Sequence, residues 1–349
     1  MSVVIITGSC GLVGSESVKF FSEKGFDVVG IDNNLRKQFF GKDGDISWIK
    51  SHLIHNHKNY KHYNSDIRNY EDMEKIIKKY NKSIKLIIHS AAQPSHDWAK
   101  NSPFVDFKVN ALGTLYLLEL TKKYCYEAPF IFMSTNKVYG DNPNILPLKE
   151  LKSRWEISNK HKFFSGIDET MNIDNSIHSF FGVSKSYADL IVQEYGKNVG
   201  LKTVCFRAGC ITGPNHSGAK LHGFLSYLIK SSLQKRTYSI YGYKGKQVRD
   251  NIHSYDLVKC FWNFFKKPKK GEVYNIGGGR KSNCSIIEAL DYVELLLNKQ
   301  VKRIYKKTNR VGDHIWYITN TKKFRKHYPN WEQKYNTKKI IEELLYSFQ

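Results

Sequence analysis

Thr7-Gly8-x-x-Gly11-x-x-Gly14 places three glycines at a spacing of three, directly behind the apolar run 3–6. Glycines so placed turn the backbone sharply and let a pyrophosphate approach main-chain N–H groups at the start of a helix. The acid that goes with such a loop is Asp32, at the end of the second apolar run, 27–31. A carboxylate there accepts hydrogen bonds from ribose hydroxyls and repels a 2′-phosphate, which favours NAD over NADP, while Arg36 softens that preference. Asp66, in Ser65-Asp66-Ile67, is placed either to hold an adenine amino group or to cap the helix that follows. Metal chemistry has no comparable pattern: the six cysteines are scattered, with no C-x-x-C pair and no Cys/His cluster at zinc spacing.

A phosphate loop works only if a strand delivers it and a helix receives it. Short β-branched or apolar runs at 3–6, 27–31, 85–89, 130–133 and 203–206 alternate with helical stretches such as 70–80 and 104–124. Near-continuous apolar runs of this length suit strands buried on both faces of a parallel sheet. The alternation predicts an α/β fold, a Rossmann-type doubly wound parallel sheet. After residue 207 the texture changes: Gly, His and aromatic residues interleave over 209–252, a helical stretch covers 256–265, and Gly277-Gly278-Gly279 precedes another near 285–297. The expected division is an NAD-binding domain over 1–207, to which 252–270 returns, and a smaller C-terminal substrate-binding domain over 208–251 and 271–349.

Composition narrows the partners. Of 349 residues, 41% are hydrophobic and 25% charged, as in a folded globular chain. Lys plus Arg number 55 against 32 Asp plus Glu, a net charge of +23. Such an excess suits nucleic acid, anionic surfaces or phosphorylated small molecules. No zinc finger, RNA-recognition signature or clustered basic helix is present, so no nucleic-acid partner is expected. The basic surface instead steers anionic substrates. No run of 18 apolar residues occurs, so no membrane span is expected. The opening Val3-Val4-Ile5-Ile6 lacks a basic flank and a cleavage site, and the cysteine usage fits a reducing compartment. A cytoplasmic location is the expectation.

The G-x-x-G-x-x-G spacing resembles that of the extended short-chain dehydrogenase/reductase family, and further marks follow in family order. They are His89-Ser90-Ala91-Ala92, Asn110 in Val109-Asn110-Ala111-Leu112-Gly113-Thr114, and Ser134-Thr135-Asn136-Lys137-Val138-Tyr139-Gly140. The resemblance implies NAD as cofactor, held by Gly8, Gly11, Leu12, Val13, Gly14, Asp32, Asn33, Asp66, Ile67, Ala91, Ala92, Asn110 and Lys185. It also implies a proton-transfer site made of a hydroxyl, matched by Thr135, and Tyr-x-x-x-Lys, whose Lys is matched by Lys185. Phe181 stands where the Tyr belongs, and neither Tyr187 nor Tyr195 restores the register. The proton acceptor is then Lys137 or His96, with His178, Asp97 and water-linked Lys185 as further candidates. Dehydratases of the family carry Asp-Glu after the hydroxyl; Asn136-Lys137 in those positions disfavours dehydration.

On the substrate side, Arg249 in Gln247-Val248-Arg249-Asp250-Asn251-Ile252-His253 resembles the family's R-D-x-x-H segment, whose Arg pairs with a sugar-nucleotide pyrophosphate. Arg310 and Asp313 match a second such contact. A guanidinium fork suits phosphate oxygens better than a Lys point charge. Asn136, Lys137, Phe181, Asn215 and His216 complete the expected substrate-binding set. Arg154-Trp155-Glu156, the segment 178–185 and Gly213-Pro214-Asn215-His216-Ser217-Gly218 together look like the CDP-paratose (CDP-tyvelose) 2-epimerase-like group. The expected activity is NAD-dependent epimerisation of a nucleotide-diphosphate sugar through a keto-sugar, a CDP-sugar 2-epimerase. The alternatives are another nucleotide-sugar oxidoreductase or 4-epimerase, or an NAD-binding protein without turnover because Phe181 replaces Tyr. The resemblance also implies a homodimer packed through the helices 104–124 and 180–199.

Overall fold

The computed structural model describes residues 2–216, 223–309 and 312–348. Its centre is a seven-stranded sheet built from β1 (Val3–Thr7), β2 (Asp27–Ile31), β3 (Tyr60–Tyr63), β4 (Ile84–His89), β5 (Phe130–Thr135), β6 (Thr203–Ala208) and β7 (Glu272–Ile276). The strand order is β7-β6-β5-β4-β1-β2-β3. β1 pairs in parallel with β2 and β4, as do β2 with β3 and β4 with β5. The order reverses beside β1, which is where a doubly wound sheet leaves a crevice at the carboxyl ends of its strands. Thr7 lies opposite both Ile31 and His89, and His89 lies opposite Phe132. This register aligns the loop after β1, Asp32, Ser90–Ala92 and Thr135 on one sheet edge.

The apolar runs form the strands because both faces are covered. Every residue of β1 is buried, and Val3, Ile5, Val29, Ile31, Ile87, Phe130 and Phe132 join Leu117, Leu118, Ala188 and Val192 of the covering helices in one core. Two strands escaped the hydrophobic pattern. β3 is Tyr-Lys-His-Tyr at the sheet edge, with one buried residue, so it needs no apolar run. β7 comes from the stretch expected to belong wholly to the substrate-binding domain, yet it closes the opposite edge of the sheet. The expected helix 104–124 is likewise interrupted: Pro103–Phe107 and Gly113–Tyr124 are joined by a π-helical turn, Lys108–Leu112. Such turns widen the helix by one residue and recur at functional sites.

By compactness the chain divides into two units. The first holds Met1–Val138, Ser179–Arg207 and Val258–Tyr274; the second holds Tyr139–His178, Ala208–Leu257 and Asn275–Gln349. Residues 139–178 therefore cluster with the second unit, where the sequence pattern ran the first domain unbroken to 207. The reason is polar: the Tyr139 hydroxyl donates to Asn275 at 2.7 Å, His314 bonds the Gly140 carbonyl at 2.8 Å, and Trp155 N–H donates to the Lys246 carbonyl at 2.9 Å. The second unit has its own core, including Leu225, Leu228, Ile229, Ile240, Leu290, Ile340 and Leu344. Its strand Val248–His253 pairs with Asn283–Ser285, Trp316–Tyr317 and Cys210–Thr212.

In the first unit, one buried ion pair ties β6 to the long helix Phe180–Lys197. Arg207 grips Asp189 at 2.7 and 3.0 Å, and the Ser134 hydroxyl donates to the same carboxylate at 2.5 Å. The two charged side chains are 7% and 1% exposed. Arg207→Met leaves that carboxylate buried without its cation, so urea unfolding of the purified variant should show a loss of about 3–5 kcal/mol. Pairing it with Asp189→Leu should recover most of that loss.

Candidate active site

The phosphate loop is built by contacts that only glycine permits. Gly8 has φ +68°, and a Cβ there would stand 2.7 Å from the Ala91 nitrogen. A Cβ on Gly14 would stand 2.0 Å from the Gly8 carbonyl oxygen. Gly11 differs: its Cβ would meet only the Gly8 oxygen, at 3.3 Å, so the outer side of the loop is open. The helix Leu12–Glu23 begins at Gly11 with no side-chain cap, leaving its N-terminus to an anion.

Asp32 braces this loop as well as facing it. Its two oxygens accept Cys10 N–H at 3.0 Å and Asn34 N–H at 2.8 Å, while burial raises its pKa. A carboxylate has about four acceptor positions, so capacity remains for ribose hydroxyls. Asn33 donates to Asp66 at 2.8 Å, and Asp66 is clasped by Arg68 at 2.6 and 2.9 Å. Burial works against ionisation of Asp66, yet the Arg68 hydrogen bonds and charge prevail and hold it below its usual value. The helix Tyr70–Tyr80 is capped by Asn69, not by Asp66, which settles that alternative. Ile67 is buried against Gly113. An open glycine loop, an uncapped helix start and an acid with unspent lone pairs fit a dinucleotide.

At the end of β4, His89 is bonded at both ring nitrogens, by Thr7 at 2.7 Å and by Thr114 at 2.9 Å. Burial, with the Lys185 charge second, pushes its pKa down to about 3, so it stays neutral. Ala91 N–H donates to the Thr7 hydroxyl at 3.3 Å, and Ala91 and Ala92 are both half-buried. Asn110 lies on the π turn and spends its amide inside the protein. It accepts Gln93 N–H at 2.9 Å and donates to the Gln93 carbonyl, Asp106 and Ser184 at 3.0–3.1 Å. The resemblance assigned Asn110 to the cofactor; its side chain here is a brace between the β4 loop and the long helix. Gln93 and Asp106 were not singled out from the sequence, and His89 and Ser184 entered only as members of longer motifs. Their one signal is that polar residues in an apolar core need partners.

Lys185 is buried, donates to the Met133 carbonyl at 2.7 Å and lies 4.1 Å from the Phe132 ring centre. Burial lowers its pKa to about 8, against the opposing charges of Asp189, Cys205 and Asp106. Thr135 ends β5 and accepts Lys137 N–H at 3.2 Å; Asn136 is buried and Lys137 half-buried. Phe181 is buried, with the His96 ring edge-to-face at 5.0 Å. His96 Nδ1 lies 2.7 Å from the Ser179 hydroxyl, which caps the long helix. Asp97 is exposed, and His178 is bonded to the Ile173 carbonyl at 2.8 Å. Tyr195 donates to Glu119, and Tyr187 packs on Phe107.

In the second unit, Arg249 is buried, donating to the Val248 carbonyl at 2.8 Å and forming an ion pair with Asp313. Buried His216 packs against Gly223, and Asn215 is half-buried on the preceding turn. Arg310, and Ser217 and Gly218 of the expected loop, lie outside the described residues. Among the described residues no three His, Cys, Asp or Glu side chains converge on a metal position, and no helix is long and apolar enough to cross a membrane.

Known proteins resemble the chain along nearly its whole length. The chain is 29% identical over 348 residues to a CDP-paratose 2-epimerase of Salmonella typhi, covering 98% of this chain and 97% of that one. Its fold superimposes on a UDP-glucose 4-epimerase of Thermotoga maritima, solved with UDP-glucose, with a TM-score of 0.79. That match has 24% identity and covers 99% and 98% of the two chains. A UDP-glucuronic acid 4-epimerase of Bacillus cereus, in complex with UDP-glucuronic acid and NAD, matches with a TM-score of 0.77. Here the identity is 22% and the coverage 99% and 98%. Residues 4–277 match the family model, and the chain belongs to the NAD dependent epimerase/dehydratase family.

Proposed function

We propose that this protein epimerises a nucleotide-diphosphate sugar through a transient keto-sugar, as a CDP-sugar 2-epimerase. Lys185 carries the proposal: a buried cation with a lowered pKa, bonded to the β5 carbonyl of Met133 two residues before Thr135, is suited to proton transfer at neutral pH. Similarity to the Salmonella typhi enzyme along nearly the whole chain supports the choice of sugar carbon and nucleotide. NAD, when bound, supplies the hydride acceptor and donor that interconvert carbinol and ketone.

The side chains divide the remaining work. The glycine loop and the start of the helix Leu12–Glu23 take the pyrophosphate of the cofactor, and Asp32 takes the adenosine ribose. Asn33, with Arg68, holds Asp66 toward the adenine. Thr135 orients the reacting hydroxyl, and Lys185 stabilises the negative charge that grows on its oxygen. In the second unit Arg249 takes the substrate pyrophosphate; Asp313 holds its guanidinium in place until then. Asn136-Lys137 stands where the family's dehydratases carry Asp-Glu, which disfavours dehydration. A second reading, NAD binding without turnover, is favoured by one observation, the absence of a phenol at Phe181.

We also propose a cytoplasmic homodimer. Phe104, Phe180, Val183 and Leu190 of the first unit are exposed apolar side chains on its helices, and a second copy would cover them.

Denatured protein should release NAD⁺, identified by mass and absorbance. In deuterated buffer, NMR should show one of CDP-, UDP-, GDP- and dTDP-glucose inverted at C2 without deuterium at that carbon, because the hydrogen returns as hydride. Bound dinucleotide with no change in any sugar would favour the second reading. Lys185→Met should lower kcat at least about 10²-fold, measured by the same conversion. Arg249→Met should raise KM about 10- to 100-fold, the worth of one charge-assisted hydrogen bond to phosphate.

A further inference from the structure

We propose that Phe39 and Trp98 form an aromatic latch that holds a strap of chain across the bound dinucleotide and slows its release. The inference rests on the NAD dependence of the family, and the epimerase function proposed above gives the latch its use. Its first support is topology. β1 lies between β2 and β4 in the sheet, which sets β2 and β4 about 10 Å apart. The helix Arg36–Phe40 follows β2 and the helix His96–Asn101 follows β4. Their rings nevertheless meet: Phe39 stands edge-to-face on Trp98 with centroids 4.6 Å apart. Segments leaving the carboxyl ends of β2 and β4 meet there only by spanning the end of β1. That end carries the glycine loop, with Asp32 on one side of it and Ala91 on the other.

The second support is how the strap is built. Asn34 donates to Asp45 at 2.8 Å and to Ser47 at 3.1 Å, which brings the two ends of the segment 34–47 together. Lys37 pairs with Asp45 at 2.8 Å. A Cβ on Gly44 would stand 2.6 Å from the Arg36 carbonyl oxygen, so residues 36–44 fold back on themselves as one piece. The base of that piece is tied to the site, because Asn34 N–H donates to Asp32 at 2.8 Å. Its Phe39 tip reaches the far side of β1.

The third support is the strength of the contact. Both rings are half-buried, and an edge-to-face aromatic pair is worth little more than the area it covers. A closure of that size can open and reclose many times between exchanges of cofactor. Epimerisation takes hydride from a sugar and returns it from the same dinucleotide, so the cofactor must stay through both half-reactions. Phe39 and Trp98 are therefore positioning residues for the dinucleotide, with no part in the chemistry.

The rate of NAD⁺ release tests this. NAD-loaded protein is diluted into alcohol dehydrogenase and ethanol, so that dinucleotide leaving the protein becomes NADH and is read by fluorescence. Trp98→Ala and Phe39→Ala should each release NAD⁺ about 10- to 50-fold faster than wild type. Trp98→Phe keeps a ring in the contact and should stay within about threefold of wild type. The double variant Phe39→Ala/Trp98→Ala should exceed the faster single variant by no more than about twofold, because both changes remove one contact. Circular dichroism identifies a variant that fails to fold; Phe39 lies on the strap, so Phe39→Ala decides if Trp98→Ala does not fold. Release at the wild-type rate from a folded alanine variant overturns the latch, as do fully multiplicative effects in the double variant. Release from Trp98→Phe as fast as from Trp98→Ala overturns it too. Wild type that holds no NAD⁺ overturns cofactor binding, and the latch with it. Failure of every sugar to react leaves the release rates intact, so the epimerase function and the latch fail separately.

Discussion

The backbone of Gly14 rests on the carbonyl of Gly8, and the Gly8 α-carbon rests on the backbone of Ala91. Three segments, the loop after β1, the first turn of its helix and the end of β4, meet there with no side chain between them. Any Cβ on Gly14 would sit 2.0 Å from an oxygen, far inside van der Waals contact. From below, Gly30 leaves room for the Tyr60 hydroxyl, which bonds Ser9 of the loop at 3.0 Å. The helix N-terminus can face a pyrophosphate only because this stack is so thin. The neighbouring strand ends then follow from the sheet register.

Charge in the first unit is arranged by the same economy of space. Asp189 is satisfied by Arg207, Ser134 and Gln193, so Lys185, one helical turn away, makes no ion pair among the described residues. It is left with a carbonyl and an aromatic face, and burial lowers its pKa. His89 nearby is kept neutral, which spares the interior a second cation. The π turn contributes too: it carries Asn110, whose amide links the β4 loop to Ser184, the residue before Lys185. Bracing of this kind fixes the lysine.

The net charge of +23 acquires a narrower meaning. In the second unit Arg249 is buried and already paired with Asp313, so its charge is largely spent within the protein. Most of the remaining basic side chains are exposed and act at long range, where salt screens them. Basicity thus favours an anionic substrate without selecting one.

The sheet, its loop and its acid were legible in the sequence because they depend on local rules: buried strands are apolar, tight turns need glycine, and a ribose needs a carboxylate. Edge strand β3 left no apolar run to read, since an edge needs little apolar surface, and the returning strand β7 was not legible, since it is separated from its sheet neighbours by the second unit. Phe181 could be seen as a missing phenol from spacing alone. What lies against that ring could not, because His96 and Phe181 are 85 residues apart and meet only through the packing of two helices. Likewise the sequence marked Asn110 by position, and only tertiary contacts decided that it braces the interior. Residue type and spacing determined which chemistry is possible here; long-range packing decided which groups are still available to perform it.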